Sequence, residues 1–242
     1  MLRGVKPNIR IRQLLKHERF EEAAIEAAIK SLSRIEPGSR VYFSYNGAYG
    51  KLLKNHNAKI LVSYGTVRNS DIGKLLEGFI HVMLDSGAYQ VHRGVVEAIS
   101  VDSYANWLLR DVLPKCSHIV DCYANLDVIG GGGKQTLQNQ KALESHGLTP
   151  IPGWHQGEDV RILDYYCENY PWVAIGGLVN TKTKQLWKLF DWLHGRYPNQ
   201  KFHIFGVGID LLNYTGGFKA YSCDCSTWNI AARFGHLIRQ LY

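Results

Sequence analysis

The sequence predicts an α/β fold, a (β/α)8 TIM barrel in a single domain, on three observations. Eight short apolar or β-branched runs recur along the 242 residues, the stretches between them carry helical spacing, and polar residues gather just past the C-terminal ends of the runs. Length alone allows one barrel-sized domain or two small ones. No linker, internal repeat or low-complexity tract divides the chain, which favours one domain over residues 1–242. An open doubly wound sheet explains the same alternation and is the rival architecture.

The elements follow in order. Residues 1–39 are an N-terminal helical extension in which Phe20, Ala24, Ile25, Ala28, Ile29 and Leu32 share one helix face, as a lid over the barrel base or part of a substrate platform. Strands are predicted at Val41–Tyr45, Lys59–Ser63, Ile80–Leu84, His118–Tyr123, Thr149–Trp154, Trp172–Ile175, Lys201–Phe205 and Phe218–Cys223. Between them lie amphipathic stretches at Asp71–Leu76, Asp102–Leu113, Gln135–Ser145, Glu158–Tyr170 and Thr183–His194, and a short turn at Asp210–Asn213. A last helix spans Trp228–Leu241, where Ala231, Ala232, Phe234, Leu237, Ile238 and Leu241 recur with helical spacing.

Composition narrows the class. Lys and Arg number 28 against 21 Asp and Glu, a net charge of +7 that suits a polyanionic partner such as a nucleic acid backbone. Five cysteines, an odd number without a Cys-x-x-Cys pair, make neither a disulfide framework nor a zinc framework and suit a reducing compartment. Met1–Pro7 lacks the apolar core of a signal peptide, and no apolar run reaches the roughly 18 residues of a membrane span. The expectation is a cytoplasmic protein.

Chemistry is concentrated at strand ends. Asp85 closes an apolar run and opens Asp85-Ser86-Gly87-Ala88-Tyr89-Gln90, and Asp224 stands in a similar setting in Ser222-Cys223-Asp224-Cys225. Two carboxylates on rigid strand ends suggest displacement chemistry with one nucleophile and one proton-transfer group. Asp127 follows the fourth strand, Trp154-His155-Gln156-Gly157 the fifth, Gly176-Gly177-Leu178 the sixth and Phe205-Gly206-Val207-Gly208 the seventh. Each taken singly has a plain structural explanation, a helix cap for Asp85 or a loop satisfier for Gln156, but capping does not explain their recurrence on successive strands. Tyr89 and Phe205, at the ends of different strands, can sandwich a flat base.

Other motifs fail. The run Gly130-Gly131-Gly132-Gly133-Lys134 lacks the first glycine and the Ser or Thr of a phosphate loop and reads as a mobile loop near the site, and Gly206-Val207-Gly208 lacks the third glycine of a dinucleotide fingerprint. No metal site is expected: Cys223 and Cys225 alternate away from the face used by Asp224, and no histidine pair has zinc-helix spacing. His155 and His203 read as strand-end polar groups.

These motifs together resemble the tRNA-guanine transglycosylase superfamily. Asp85 to Gln90, Leu126-Asp127-Val128, Gln156-Gly157, Ile175-Gly176-Gly177-Leu178, Phe205 to Gly208 and Cys223-Asp224-Cys225 occur in that family's order and spacing, over roughly residues 80–235. The resemblance implies a (β/α)8 barrel that exchanges guanine in nucleic acid for a 7-deazaguanine and consumes no cofactor. Ala88 stands where the tRNA enzymes have a second glycine. Their zinc subdomain, Cys-x-Cys-x-x-Cys followed by His, has no counterpart, which argues against tRNA as substrate. Ser226-Thr227-Trp228, in place of Pro-Thr-Arg, is similar to the compact DNA 7-deazaguanine transglycosylases of phages and bacterial modification clusters.

Carried over by resemblance, Asp224 is the nucleophile at the sugar C1′ and Asp85 the proton carrier. Asp127 accepts from guanine's N1–H and 2-amino group, Gln156 and the Gly177 N–H donate to O6, and Tyr89 and Phe205 stack on the base. Ser86, Gly176 and Leu178 complete the substrate-binding set. The partners implied are DNA and a free 7-deazaguanine base, with a homodimer or partner proteins left open. Three alternatives stand beside this: an enzyme acting on tRNA, a base-excising N-glycosidase that uses water, and a non-catalytic nucleic-acid-binding barrel.

Overall fold

The computed structural model describes residues 40–226 together with Glu22, Ala23, Glu26, Ala27 and Ile29. Eight strands form one parallel sheet: β1 (Arg40–Ser44), β2 (Ile60–Ser63), β3 (Val82–Asp85), β4 (Val120–Tyr123), β5 (Gly153–His155), β6 (Trp172–Gly176), β7 (Lys201–Ile204) and β8 (Ser222–Cys225). Their order is β4-β3-β2-β1-β8-β7-β6-β5. Each step along the chain moves the same way round the sheet, with no reversal of the kind that defines a doubly wound sheet. The first and last strands are neighbours, Arg40 opposite Ser222 and Phe43 opposite Cys225. The sheet curls so that β4 and β5 approach. They meet at an isolated bridge, Ala124 with Ile151, rather than in a ladder. There the Asn125 N–H donates to the Ile151 carbonyl at 3.0 Å and the Ile151 N–H to the Tyr123 carbonyl at 2.9 Å. The fold is therefore α/β and TIM-like, a curled half-barrel.

Alternation along the strands sorts side chains into two layers. Outward residues such as Val41, Phe43, Ile60, Val62, Leu84, Ile175, Ile204, Cys223 and Cys225 pack with the helices in the larger core. Inward residues Tyr42, Leu61, Met83, Ala124, Ile151 and Ala174, joined by Cys122, Trp172 and Phe205, fill the interior of the curl. Cys223 and Cys225 are buried, on the face away from Asp224. Below this layer, at the N-terminal end of the strands, the Tyr42 hydroxyl donates to Asp121 at 2.7 Å and His81 Nδ1 lies 2.9 Å from the same carboxylate.

All eight predicted strands are present, with shifted ends. β5 begins only at Gly153, because Pro150 and Pro152 have no N–H for the ladder. β8 begins at Ser222 rather than Phe218, whose ring is instead stacked on Phe190 at 5.2 Å in the outer core. The helix over Val101–Asn106 is capped by Ser100, which accepts from the Ser103 N–H. It runs on through a π-helical turn, Trp107–Val112, into Leu113–Cys116. Pro114 in that last turn cannot donate back along the α-helix, which accounts for the widened turn before it. Short helices at Gly50–Asn55, Tyr64–Val67 and Ala88–His92 have too few residues to show helical periodicity and were not expected. The predicted face of the N-terminal helix lies mostly outside the described residues, and the predicted Trp228–Leu241 helix and Thr227-Trp228 lie wholly outside them.

Candidate active site

Three carboxylates converge at the C-terminal ends of the strands. Asp85 ends β3, opposite Ser63 of β2. The chain turns immediately after it, with Gly87 in the left-handed region at φ +90° and its N–H donating to Asp85 Oδ2 at 3.1 Å. A side chain at Gly87 would place its Cβ 2.7 Å from the Gly65 backbone nitrogen, so this close crossing of two strand-end loops requires glycine. Burial raises the Asp85 pKa to about 7, aided by the charges of Asp127 and Asp224 and only partly offset by the neighbouring Ser63 hydroxyl and the Gly87 N–H. Asp85 is thus placed to exchange a proton near neutral pH.

Asp127 sits on the loop after β4. Buried polar side chains of the following helix, Gly133–Ser145, fix that loop: Thr136 Oγ1 accepts from the Val128 N–H at 2.9 Å and Asn139 donates to the Leu126 carbonyl at 2.7 Å. The four-glycine run is the connection into this helix, with Gly130 and Gly131 both at positive φ. Ser86, fully buried, donates to Asp127 Oδ1 at 3.3 Å, and His155 Nε2 meets Oδ2 at 2.7 Å. Asp127 therefore carries a hydrogen-bond partner on each oxygen.

His155 is the site residue that the sequence reading underweighted. It ends β5 and is 5% exposed. Besides Asp127 it has Glu158, whose Oε1 lies 3.5 Å from Nδ1 and whose Oε2 accepts the His155 backbone N–H at 3.0 Å. Burial alone would lower the imidazole pKa, but the hydrogen bond to Asp127 and the close Glu158 carboxylate, with the charges of both, raise it to about 10. Its surroundings thus favour the imidazolium over the neutral ring. The available signals were His-x-x-Glu at a strand end and two glycines at the end of the next strand. A Cβ on Gly176 would fall 2.5 Å from His155 Cδ2, so that glycine makes room for the ring.

On the other side of the curl, Asp224 of β8 is 7% exposed. Its Oδ1 accepts from the Gly206 N–H at 2.7 Å and lies 3.5 Å from His203 Nε2, while His203 Nδ1 is paired with Ser222 Oγ at 2.8 Å. Phe205, half-buried, packs edge-on against the His203 ring at 4.5 Å. Tyr89 is 42% exposed on the short helix after Gly87. Leu178 is buried behind the end of β6. Gln156 is exposed, with its Oε1 accepting from the Thr181 hydroxyl at 3.4 Å and its backbone N–H donating to the Gly176 carbonyl, so its side chain points to the rim rather than into the carboxylate cluster.

The arrangement offers one proton carrier near neutrality, one anchored carboxylate across the curl, and an acceptor held by a cation. Among the described residues no group of three or more His, Cys, Asp or Glu is arranged to hold a metal ion, and no helix is long and apolar enough to cross a membrane. No protein-family model matches the chain, and no curated protein matches it.

Proposed function

We propose that the chain is a pentosyltransferase of the transglycosylase type, exchanging guanine in DNA for a 7-deazaguanine through a covalent glycosyl intermediate on Asp224. The observation that carries this reading is the pair of strand-end carboxylates with unlike surroundings, Asp85 pushed up to about 7 and Asp224 anchored by the Gly206 N–H. The curled parallel sheet, with its isolated bridge between the β4 and β5 sides, supports a (β/α)8-like frame with the site at the C-terminal ends of the strands.

In this mechanism Asp224 attacks C1′ of the target nucleotide, the bond from C1′ to the guanine nitrogen breaks, and Asp85 gives its proton to the departing base. The incoming 7-deazaguanine returns that proton to Asp85 as its ring nitrogen attacks C1′, and the ester to Asp224 breaks. Atoms and charge balance without a cofactor. Asp127 accepts from the N1–H and 2-amino group of either base, Tyr89 and Phe205 offer π-faces, and the Gly177 N–H and Gln156 serve O6, the latter after turning in from Thr181. Since the base has to leave the stack, the substrate is flipped or single-stranded, held by Lys and Arg on its phosphates.

Nucleoside mass spectrometry of DNA and tRNA from cells expressing the chain with a 7-deazaguanine supply tests the reading. The expected result is deazaguanine nucleoside in DNA. Its appearance in tRNA alone selects the RNA enzyme, and abasic sites without added base select the water-using glycosidase.

A further inference from the structure

We infer that His155 is a positioning residue of this site: an imidazolium clamped between Asp127 and Glu158, it fixes the Asp127 carboxylate as the acceptor for the bound base and supplies the countercharge the carboxylate cluster needs. The inference rests on the exchange reading above for the identity of the base, and on geometry for the rest.

The clamp is built rather than incidental. The side chains of His155, Asp127 and Glu158 are 7%, 15% and 4% exposed, so the charges are held out of water; the imidazolium offsets one of the two carboxylates, and a neutral ring would leave both uncompensated. Glu158 is fixed independently of the ring by the His155 backbone N–H, and a Cβ on Gly133, at the start of the helix that pins the Asp127 loop, would lie 3.1 Å from its carboxylate. Gly176 leaves the space the ring occupies. The groups facing the imidazole are thus Asp127 from the loop after β4, Glu158 from the loop after β5 and uncharged glycine from β6. The buried Tyr166 hydroxyl stands near Glu158, and Asp85 and then Asp224 lie beyond Asp127.

Asp127 can keep its two existing partners and still accept from the base, because each carboxylate oxygen has a second lone pair. An acceptor whose orientation is set by a second residue loses affinity when that residue goes, and Asp85 then faces an Asp127 charge without its cation.

Two measurements on the full chain test this. Nitrogen spectra of the imidazoles, with the His155 signal assigned by its loss in His155→Gln, are expected to show both ring nitrogens protonated from about pH 6 to about pH 9. In Glu158→Gln, which keeps the volume and removes one flanking charge, the His155 titration is expected to move down. A neutral His155 ring at pH 7 overturns the inference whatever the protein's activity. In guanine exchange on DNA, His155→Gln is expected to raise KM for the free base roughly tenfold, the equivalent of one pKa unit of interaction, with a smaller change in kcat. The limb of the pH profile governed by Asp85 is also expected to shift to higher pH. Unchanged KM and pH profile in a folded, active His155→Gln overturn the role and leave the exchange reading standing. If the wild type exchanges no base on any nucleic acid, that reading fails, and the spectra alone decide the state of His155.

Discussion

At the scale of single residues, the proposed exchange needs Asp85 to hold its proton to about pH 7 while Asp224 attacks. Release of guanine with formation of the covalent complex, measured in a single turnover, should slow as pH rises through about 7, whereas attack by the incoming base should speed up over the same range. Stability carries the same sign. A carboxyl whose folded pKa lies above its ordinary 3.8 binds its proton more tightly when folded, so stability falls as pH rises from that value through about 7. Asp85→Asn removes this slope, and thermal melting should show it more stable than the wild type at pH 8 and little different near pH 4. Asp85, Ser86, Asp127 and Asp224 were legible in the sequence because each follows an apolar run, and burial next to a polar strand end is a local signal. The His155 link to Asp127 and Glu158 was not, because it joins two different strand ends, and such pairing is set by the curl of the sheet rather than by spacing. Likewise Gly176, expected against the base, lies against the imidazole, a contact that only the neighbouring strand's register determines.

At the scale of elements, the proposed reaction puts the chemistry on the loops at the C-terminal ends of the strands and leaves stability to the N-terminal ends. Gly87→Ala should be costly for two reasons, a left-handed backbone and a Cβ driven into Gly65, together about 2 kcal/mol or more in denaturant melts, with loss of exchange because Asp85 moves with the loop. Asp121→Ala, at the opposite end, strips partners from Tyr42 and His81 and should cost about 1–3 kcal/mol while leaving kcat within a few-fold of the wild type. Loss of exchange in a stably folded Asp121→Ala would mean that the two ends of the sheet are not separable in this way. Strand order was predictable because β-branched runs punctuated by helical stretches leave few topologies. Strand ends were not, since Pro152 and the Phe218 ring act through hydrogen bonds and packing that a hydrophobic run does not encode. The helices over Gly133–Ser145, Val160–Asn169 and Thr183–Arg196 are long enough to show their period, whereas of the short ones Ile72–Leu76 was expected and those at Gly50–Asn55, Tyr64–Val67 and Ala88–His92 were not.

At the scale of the whole molecule, the net charge of +7 and the converging strand ends describe a cationic protein with a cluster of carboxylates at one end of its sheet. If the proposed DNA substrate is gripped through its phosphates by the excess Lys and Arg, its affinity should fall steeply and log-linearly as salt rises from about 50 to about 200 mM. A salt-independent affinity would show that the backbone is not what the protein grips. Activity should survive chelation, because a cation bound beside Asp224 would neutralise the carboxylate that attacks. A covalent bond from Asp224 to the sugar is the step on which the proposed exchange depends, and intact mass of the protein after incubation with a guanine-containing DNA oligonucleotide and no free base tests it. The account predicts an adduct of protein plus oligonucleotide minus guanine, mapped by peptide sequencing to Asp224, absent in Asp224→Asn and discharged on adding a 7-deazaguanine. Guanine release or exchange without any such adduct, or an adduct that persists in Asp224→Asn, would contradict it.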